Sequence, residues 1–89
     1  TTGPPKGATV AHRCLYGNLT GFELSQNFFP QTGDLFWTPA DWAWTGGLID
    51  ALLPAWYYGQ PILGYKGGKF DPEHTCYLLD KYQVRNGFV

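Results

Sequence analysis

Charge is what this sequence has least of. Asp, Glu, Lys and Arg together make up 15% of the 89 residues, against about 25% in ordinary soluble domains. Six basic and seven acidic residues give a formal net charge of −1, so there is no clustered basic excess of the kind that binds nucleic acid or an anionic membrane. An aromatic content of 18% argues against disorder. We therefore expect one small folded unit, no nucleic-acid partner, and an unusually apolar surface.

Long apolar runs and paired cysteines are also absent. No stretch approaches the roughly 18 apolar residues of a membrane span, and the chain opens on Thr1 within a Gly-rich phrase instead of a signal peptide. This favours a soluble, cytoplasmic protein whose start looks cut. Cys14 and Cys76 lie far apart, with no CxxC or paired-His spacing beside them. We predict two reduced thiols buried in the core, and no metal site.

The order of apolar runs and breaks predicts alternating strands and helices. Residues 8–11 form a short strand candidate, and Ala11, Leu15, Leu19 and Phe22 then recur at helical spacing. Residues 35–38 are a β-rich run that suits a strand buried on both faces.

The second half of the chain repeats this order. Apolar residues from Leu48 to Trp56 recur at helical spacing, with Pro54 expected to kink the helix and Gly59 expected to follow its end. Residues 61–65 are a further strand candidate. Asp71-Pro72-Glu73 has the order of an N-cap, a first-turn proline and a first-turn acid. Leu78, Leu79 and Tyr82 are expected on the buried side of that helix, and residues 86–89 as a last strand.

This alternation predicts an α/β fold. We expect an open, mostly parallel sheet of about four strands with helices on its faces, in the order βαβαβαβ, joined by right-handed crossovers. Such a sheet in 89 residues leaves edges and apolar faces uncovered. The sequence therefore favours a portion of a larger α/β domain.

The opening residues 1–7 form a Gly- and Pro-rich loop with one lysine. Backbone N–H groups and threonine hydroxyls can donate to phosphate oxygens, and a lysine neutralises their charge. The spacing of a Walker A motif is absent. A loop of this composition is more often a simple turn than a phosphate site.

Three phrases in order carry a resemblance to a known family. Residues 1–8, which contain Pro5-Lys6-Gly7, resemble the second half of the phosphate-binding signature of adenylate-forming (AMP-binding) enzymes. Residues 33–47 are similar to the stretch of acetyl- and medium-chain acyl-CoA synthetases that runs from an Asp through an aromatic strand to a Trp and a pocket-lining pair. Residues 69–72 and 82–84 fit the same family. The chain departs from the family pattern at Trp42-Ala43, and it lacks the upstream half of the loop.

The resemblance implies that residues 1–89 are a single partial domain, an internal fragment of the large N-terminal domain of an acyl-CoA synthetase that begins inside the phosphate-binding loop. The parent would be an ATP-dependent ligase of fatty acid metabolism, using ATP, Mg²⁺ and CoA. A carboxylate would attack the α-phosphate of ATP, and CoA would then displace AMP to give a thioester. The fragment alone would be inactive, and its open sheet edges make self-association plausible.

The resemblance also implies site residues. Thr1, Thr2, Gly3 and Lys6 would bind the β- and γ-phosphates, with Lys6 acting by charge. Trp44, Thr45 and Gly46 would line the acyl pocket, where small residues leave room for a chain longer than acetate. No catalytic residue and no metal ligand falls within the chain.

For the remaining residues, a structural role stays open beside a functional one. We expect the four tryptophans to pack in the core more readily than to form a stacking platform, and Asp41 to cap the turn or helix that follows it. His74 is expected to face solvent. Lys66 and Lys69 are expected in a solvated loop rather than at an anion site. The alternative function is a small aromatic-rich module that binds sugar or peptide without catalysis.

Overall fold

The sheet and helices are seen in a computed structural model, which describes residues 2–89. In chain order the elements are α1 (Arg13–Ser25), β1 (Phe36–Trp37), α2 (Thr45–Gly47), a π-helical segment (Leu48–Leu52), α3 (Leu53–Tyr57), β2 (Ile62–Leu63), α4 (Pro72–Tyr82) and β3 (Asn86–Gly87). Helices and strands alternate, as the sequence predicts for an α/β fold. Over these residues no helix combines the length and the apolar character that crossing a membrane requires.

The sheet has three parallel strands in the order β2-β1-β3. Phe36 of β1 pairs with Ile62 on one side and with Asn86 on the other. Phe36 is 0% exposed and Trp37 is 5% exposed. This confirms a strand that is buried on both faces, because successive side chains of a strand point to opposite faces.

The prediction of a strand at residues 8–11, which would have been the first of four, is wrong. Residues 8–11 are exposed and extend into α1 without pairing with any strand among residues 2–89. A β-rich run of this kind is stabilised by a neighbouring strand and a half-buried surface, and here it has neither. The helix that follows is confirmed, with Leu19 and Phe22 buried, although Ala11 lies exposed ahead of its start.

The core lies on one face of the sheet, under α1 and α3. Its centre is formed by Phe22, Phe29 and Phe36, with Ala51 and Ala55 packed against them. The ring centroid of Phe22 lies 5.0 Å from that of Phe29 and 5.3 Å from that of Phe36. The two alanines are fully buried, so the small side chains allow the helical segment to approach the rings closely.

Core packing of all four tryptophans is also wrong. Only Trp37 is buried, and Trp42, Trp44 and Trp56 are 37%, 69% and 58% exposed. The helical segment turns Ala51 and Ala55 toward the sheet, which leaves Trp56 on the outside. The other two lie in the connection between β1 and α2, outside the packed core. Tyr82 is likewise 45% exposed, against its expected burial.

The region of Pro54 is helical, with a π-helical segment directly before it. The N–H of Leu53 donates to the carbonyl of Leu48, five residues back. In that register the carbonyl of Ile49 faces Pro54, which has no N–H to donate. The Asn18 side chain supplies the missing donor, with Nδ2 3.0 Å from the Ile49 oxygen and 2.8 Å from Asp50 Oδ1. Asn18 thus ties α1 to the second helical segment.

Two helix ends follow the sequence closely. Gly59 has a φ of +68°, its N–H donates to Trp56, and the N–H of Gln60 donates to Ala55. This pair of bonds is the Schellman motif, which favours glycine at this position. At the start of α4 the Asp71 carboxylate accepts from the N–H groups of Glu73 and His74, which confirms the N-cap.

Both cysteines are free, as expected, but neither is in the core. Cys14 lies in the first turn of α1 and Cys76 on α4, and both are exposed. The helices turn Leu19, Phe22 and Leu78 inward instead, so the thiols are left on the outer sides.

Candidate binding cleft

A cleft of about 710 Å³ opens where β1 and β2 end. One wall is the segment after β1, residues 37–42, and the other is the segment after β2 together with the first turns of α4, which contribute residues 63–71, His74 and Thr75. Its volume is within the range of small-molecule sites. In open parallel sheets, ligands bind outside the carboxyl ends of the strands, and this is the end at which the cleft lies.

Two glycines seat two aromatic rings in the cleft. A Cβ at Gly64 would lie 3.2 Å from Cη2 of Trp42, and a Cβ at Gly67 would lie 2.5 Å from Cε1 of Tyr65. The missing side chains therefore let each ring lie against the backbone. Tyr65 is 53% exposed, so an apolar ring surface remains available to a ligand.

The charged groups of the cleft are two lysines with no ion-pair partner among residues 2–89 and two carboxylates that accept hydrogen bonds. Lys66 and Lys69 line it and are exposed. The Asp41 carboxylate accepts from the N–H of Ala43 at 2.8 Å, which confirms its capping role. The Asp71 carboxylate accepts from two N–H groups at the start of α4, at 3.0 and 3.2 Å. Hydrogen bonds to backbone donors therefore partly satisfy both carboxylates.

His74 does not face solvent as expected. Its ring centroid lies 4.9 Å from that of Tyr65 and 5.9 Å from that of Tyr77. Its Nε2 atom is buried and has no hydrogen-bond partner among residues 2–89. Buried side-chain nitrogens usually have a partner, and this one is closed off from solvent as well.

The two threonine hydroxyls of the cleft are committed to the fold. Thr38 Oγ1 donates to the carbonyl of Phe88 at 2.7 Å, and Thr75 Oγ1 donates to that of Asp71 at 2.8 Å. Across the described residues no group of three or more His, Cys, Asp or Glu side chains is placed to hold a metal ion.

The predicted phosphate-binding residues lie elsewhere. Thr1 is outside the described residues, and Thr2, Gly3 and Lys6 are exposed in the segment that precedes α1. None of these three lines the cleft. Gly3 has a φ of +102°, which only glycine adopts readily. Their role toward phosphate stays a prediction.

The predicted acyl-pocket residues also lie outside the cleft. Trp44 is the N-cap residue of α2, and Thr45 and Gly46 open that helix. A Cβ at Gly46 would lie 3.0 Å from Cε1 of Phe88, so the glycine permits close packing beside β3. Their role toward an acyl chain stays a prediction.

Sequence reasoning noted Lys66 and Lys69 but assigned them to a solvated loop, and it missed the cleft. The available signal was the composition of residues 64–70, which consist only of aromatic residues, glycines and lysines and directly follow a strand. What the sequence did not show is that Trp42 approaches this loop from the neighbouring strand.

Comparison with known proteins adds one similarity. Over 84 residues, or 94% of the chain, the sequence is 29% identical to the mitochondrial acyl-coenzyme A synthetase ACSM2 of Rattus norvegicus. The chain spans 14% of the length of that enzyme. No protein-family model matches the chain, and no solved structure does. The similarity is thus to a portion of an acyl-CoA synthetase.

Proposed function

We propose that the chain is part of the N-terminal domain of an AMP-forming acyl-CoA synthetase. The observation that carries the proposal is the similarity of 94% of the chain to a portion of the rat enzyme. The three ordered phrases agree with it, and the parallel α/β sheet is compatible with it. The parent protein would join a carboxylic acid to CoA at the expense of ATP.

Residues of this chain would contribute binding rather than proton transfer. Bound ATP would supply the adenylyl group, with Mg²⁺ as its counterion. Lys6 suits a polyphosphate, since the loop that carries it is exposed and its glycines leave open space beside the backbone. Lys6 would hold the departing pyrophosphate by charge. Trp44, Thr45 and Gly46 would border the acyl group.

The test is ATP–pyrophosphate exchange by the full-length product of the gene that encodes this chain, across short and medium carboxylic acids. We expect exchange that depends on one class of acid. Lys6→Ala should lower it by about 10²-fold or more, as for loss of one preorganised electrostatic contact. Lys81→Ala is the matched control, because Lys81 is an exposed lysine on α4 outside the loop.

A full-length product that exchanges with no acid would overturn the ligase proposal. The alternative, an aromatic binding module for sugar or peptide, would then be preferred. It has the three exposed tryptophans in its favour, and it predicts a reading frame that stops at Val89. A frame that continues into an aromatic-Gly-Thr-Glu phrase supports the ligase.

A further inference from the structure

We infer that the cleft at the ends of β1 and β2 binds a nucleotide, with its phosphate on Lys66 and Lys69 and its planar base among Trp42 and Tyr65. This inference concerns a site separate from the residues predicted to hold ATP, and it does not rest on the ligase proposal. It is argued from two properties of the cleft: two lysines that have no ion-pair partner among residues 2–89, and aromatic rings that lie against glycines.

The phosphate end is assigned by the lysine loop. Lys66 and Lys69 flank Gly67 and Gly68, and no N–H of residues 66–70 donates a hydrogen bond within the described part of the chain. A Cβ at Gly68 would meet no atom within 4 Å, so a ligand can approach the backbone there. Two cations beside free N–H groups suit a phosphate better than a carboxylate, because three oxygens accept from several donors at once. The N-terminus of α4 is not the anion site, because Asp71 already caps it.

The base end is assigned by the aromatic walls. Trp42 lies against Gly64 and Tyr65 against Gly67, so both rings lie on the loop that carries the lysines, Trp42 from the segment after β1 and Tyr65 from the loop itself. Base–aromatic stacking contributes favourably for every base, because each has a π-face. The lining also includes Phe70, which is 60% exposed. An aliphatic acid has no planar ring to stack on the aromatic side chains, and its single carboxylate would not engage both lysines.

His74 also lines the cleft, with its ring centroid 4.9 Å from that of Tyr65. Its Nε2 atom is buried without a partner in residues 2–89, so a ligand would reach it only if the ring turned. An unphosphorylated aromatic compound would leave the lysines unused.

The experiment is titration of the ¹⁵N-labelled chain with ADP, with adenosine and pyrophosphate as separate arms. We expect ADP to shift the amide signals of Gly64, Gly67 and Gly68. We also expect ADP to bind more tightly than adenosine alone or pyrophosphate alone. The double variant Lys66→Ala/Lys69→Ala should weaken ADP binding about tenfold or more, as for loss of hydrogen bonds to charged groups. Lys81→Ala should leave it unchanged, because that lysine lies outside the cleft.

A second variant tests the base end. Trp42→Ala should weaken ADP about tenfold while leaving pyrophosphate unchanged. The inference is overturned if ADP shifts no cleft amide at millimolar concentration, or if pyrophosphate binds as tightly as ADP. It is also overturned if Lys81→Ala weakens binding as much as the double variant, which would indicate general charge attraction. Because the readout is binding to this chain, failure here leaves the exchange assay on the parent unaffected.

Discussion

Aromatic residues in this chain serve two regions in opposite ways. Under α1 and α3 three phenylalanine rings pack edge to face or tilted, and Phe29 and Phe36 are at most 2% exposed. At the cleft the rings of Tyr65 and Phe70 are more than half exposed. The core rings are closed off by alanines from the facing helix, whereas Tyr65 rests on Gly67 of its own loop and Trp42 rests on Gly64 of the facing loop.

The difference shows that aromatic content alone does not distinguish a core from a binding surface. What distinguishes them is the residue opposite each ring. A small apolar side chain from another element completes a packed layer, and a glycine in the adjacent loop seats a ring while leaving its other face open. The predictions below test this division, beginning with the packed region.

The largest effect is expected at the centre of the core. Phe36→Ala should lower the free energy of unfolding by about 3–5 kcal/mol, since it leaves a cavity under both helices. Phe70→Ala, at a ring that is 60% exposed, should change it by about 0.5 kcal/mol or less. Urea denaturation followed by far-UV circular dichroism measures both. Equal losses would show that the cleft rings are also structural.

A smaller effect is expected where α1 meets the π-helical segment. Asn18→Ala should lower the free energy of unfolding by about 1–3 kcal/mol, because the Ile49 carbonyl then loses its side-chain donor. Thr20→Ala, an exposed change on the same helix, is the control. The same denaturation experiment applies. A cost for Asn18→Ala no greater than that of the control would indicate that water replaces the amide.

The smallest effect is a pH dependence at the edge of the core. Burial and then the hydrogen bond donated to Glu23 raise the pKa of Tyr58 to about 12 from 10.0. Above pH 10 the unfolded chain loses this proton while the folded chain keeps it. Tyr58 therefore contributes stability below pH 10 that is lost as the pH rises to about 12.

Tyr58→Phe should make the loss of stability between pH 9 and 12 less steep than in the unaltered chain, and Tyr57→Phe should not. The measurement is the denaturation midpoint at a series of pH values over about three units. Parallel curves for the unaltered chain and Tyr58→Phe would contradict the assignment of the shifted pKa.

The fold was predictable where the local sequence pattern and the contacts of the folded chain favour the same element. Asp71 and Gly59 cap their helices as the sequence indicates, because those bonds are local. Residues 35–38 were predicted as a buried strand, and β1 has partners on both sides. Residues 8–11 carry a similar signal but no partner, and the sequence does not state which strands will find one.

The site was less predictable because it is made between segments. Trp42 and Gly64 are brought together only by the pairing of β1 with β2. His74 lies in the first turn of α4, a position from which the sequence predicts an exposed side chain. Its ring nevertheless lies against that of Tyr65. The roles of Lys6 and Trp44 depend on ligands and on chain outside this region, so they remain predictions.

The strand order also sets the sequence of events by which the sheet can form. Phe36 pairs with Ile62 and with Asn86, so the central strand is the first of the three to be synthesised and its second partner the last. Closing the longer of these two loops costs more chain entropy. During synthesis, β1, α3 and β2 can therefore dock as a unit while one edge of β1 is still open. The rate of that late closure, rather than the stability of the core, would govern how long an unpaired strand edge is exposed to other chains.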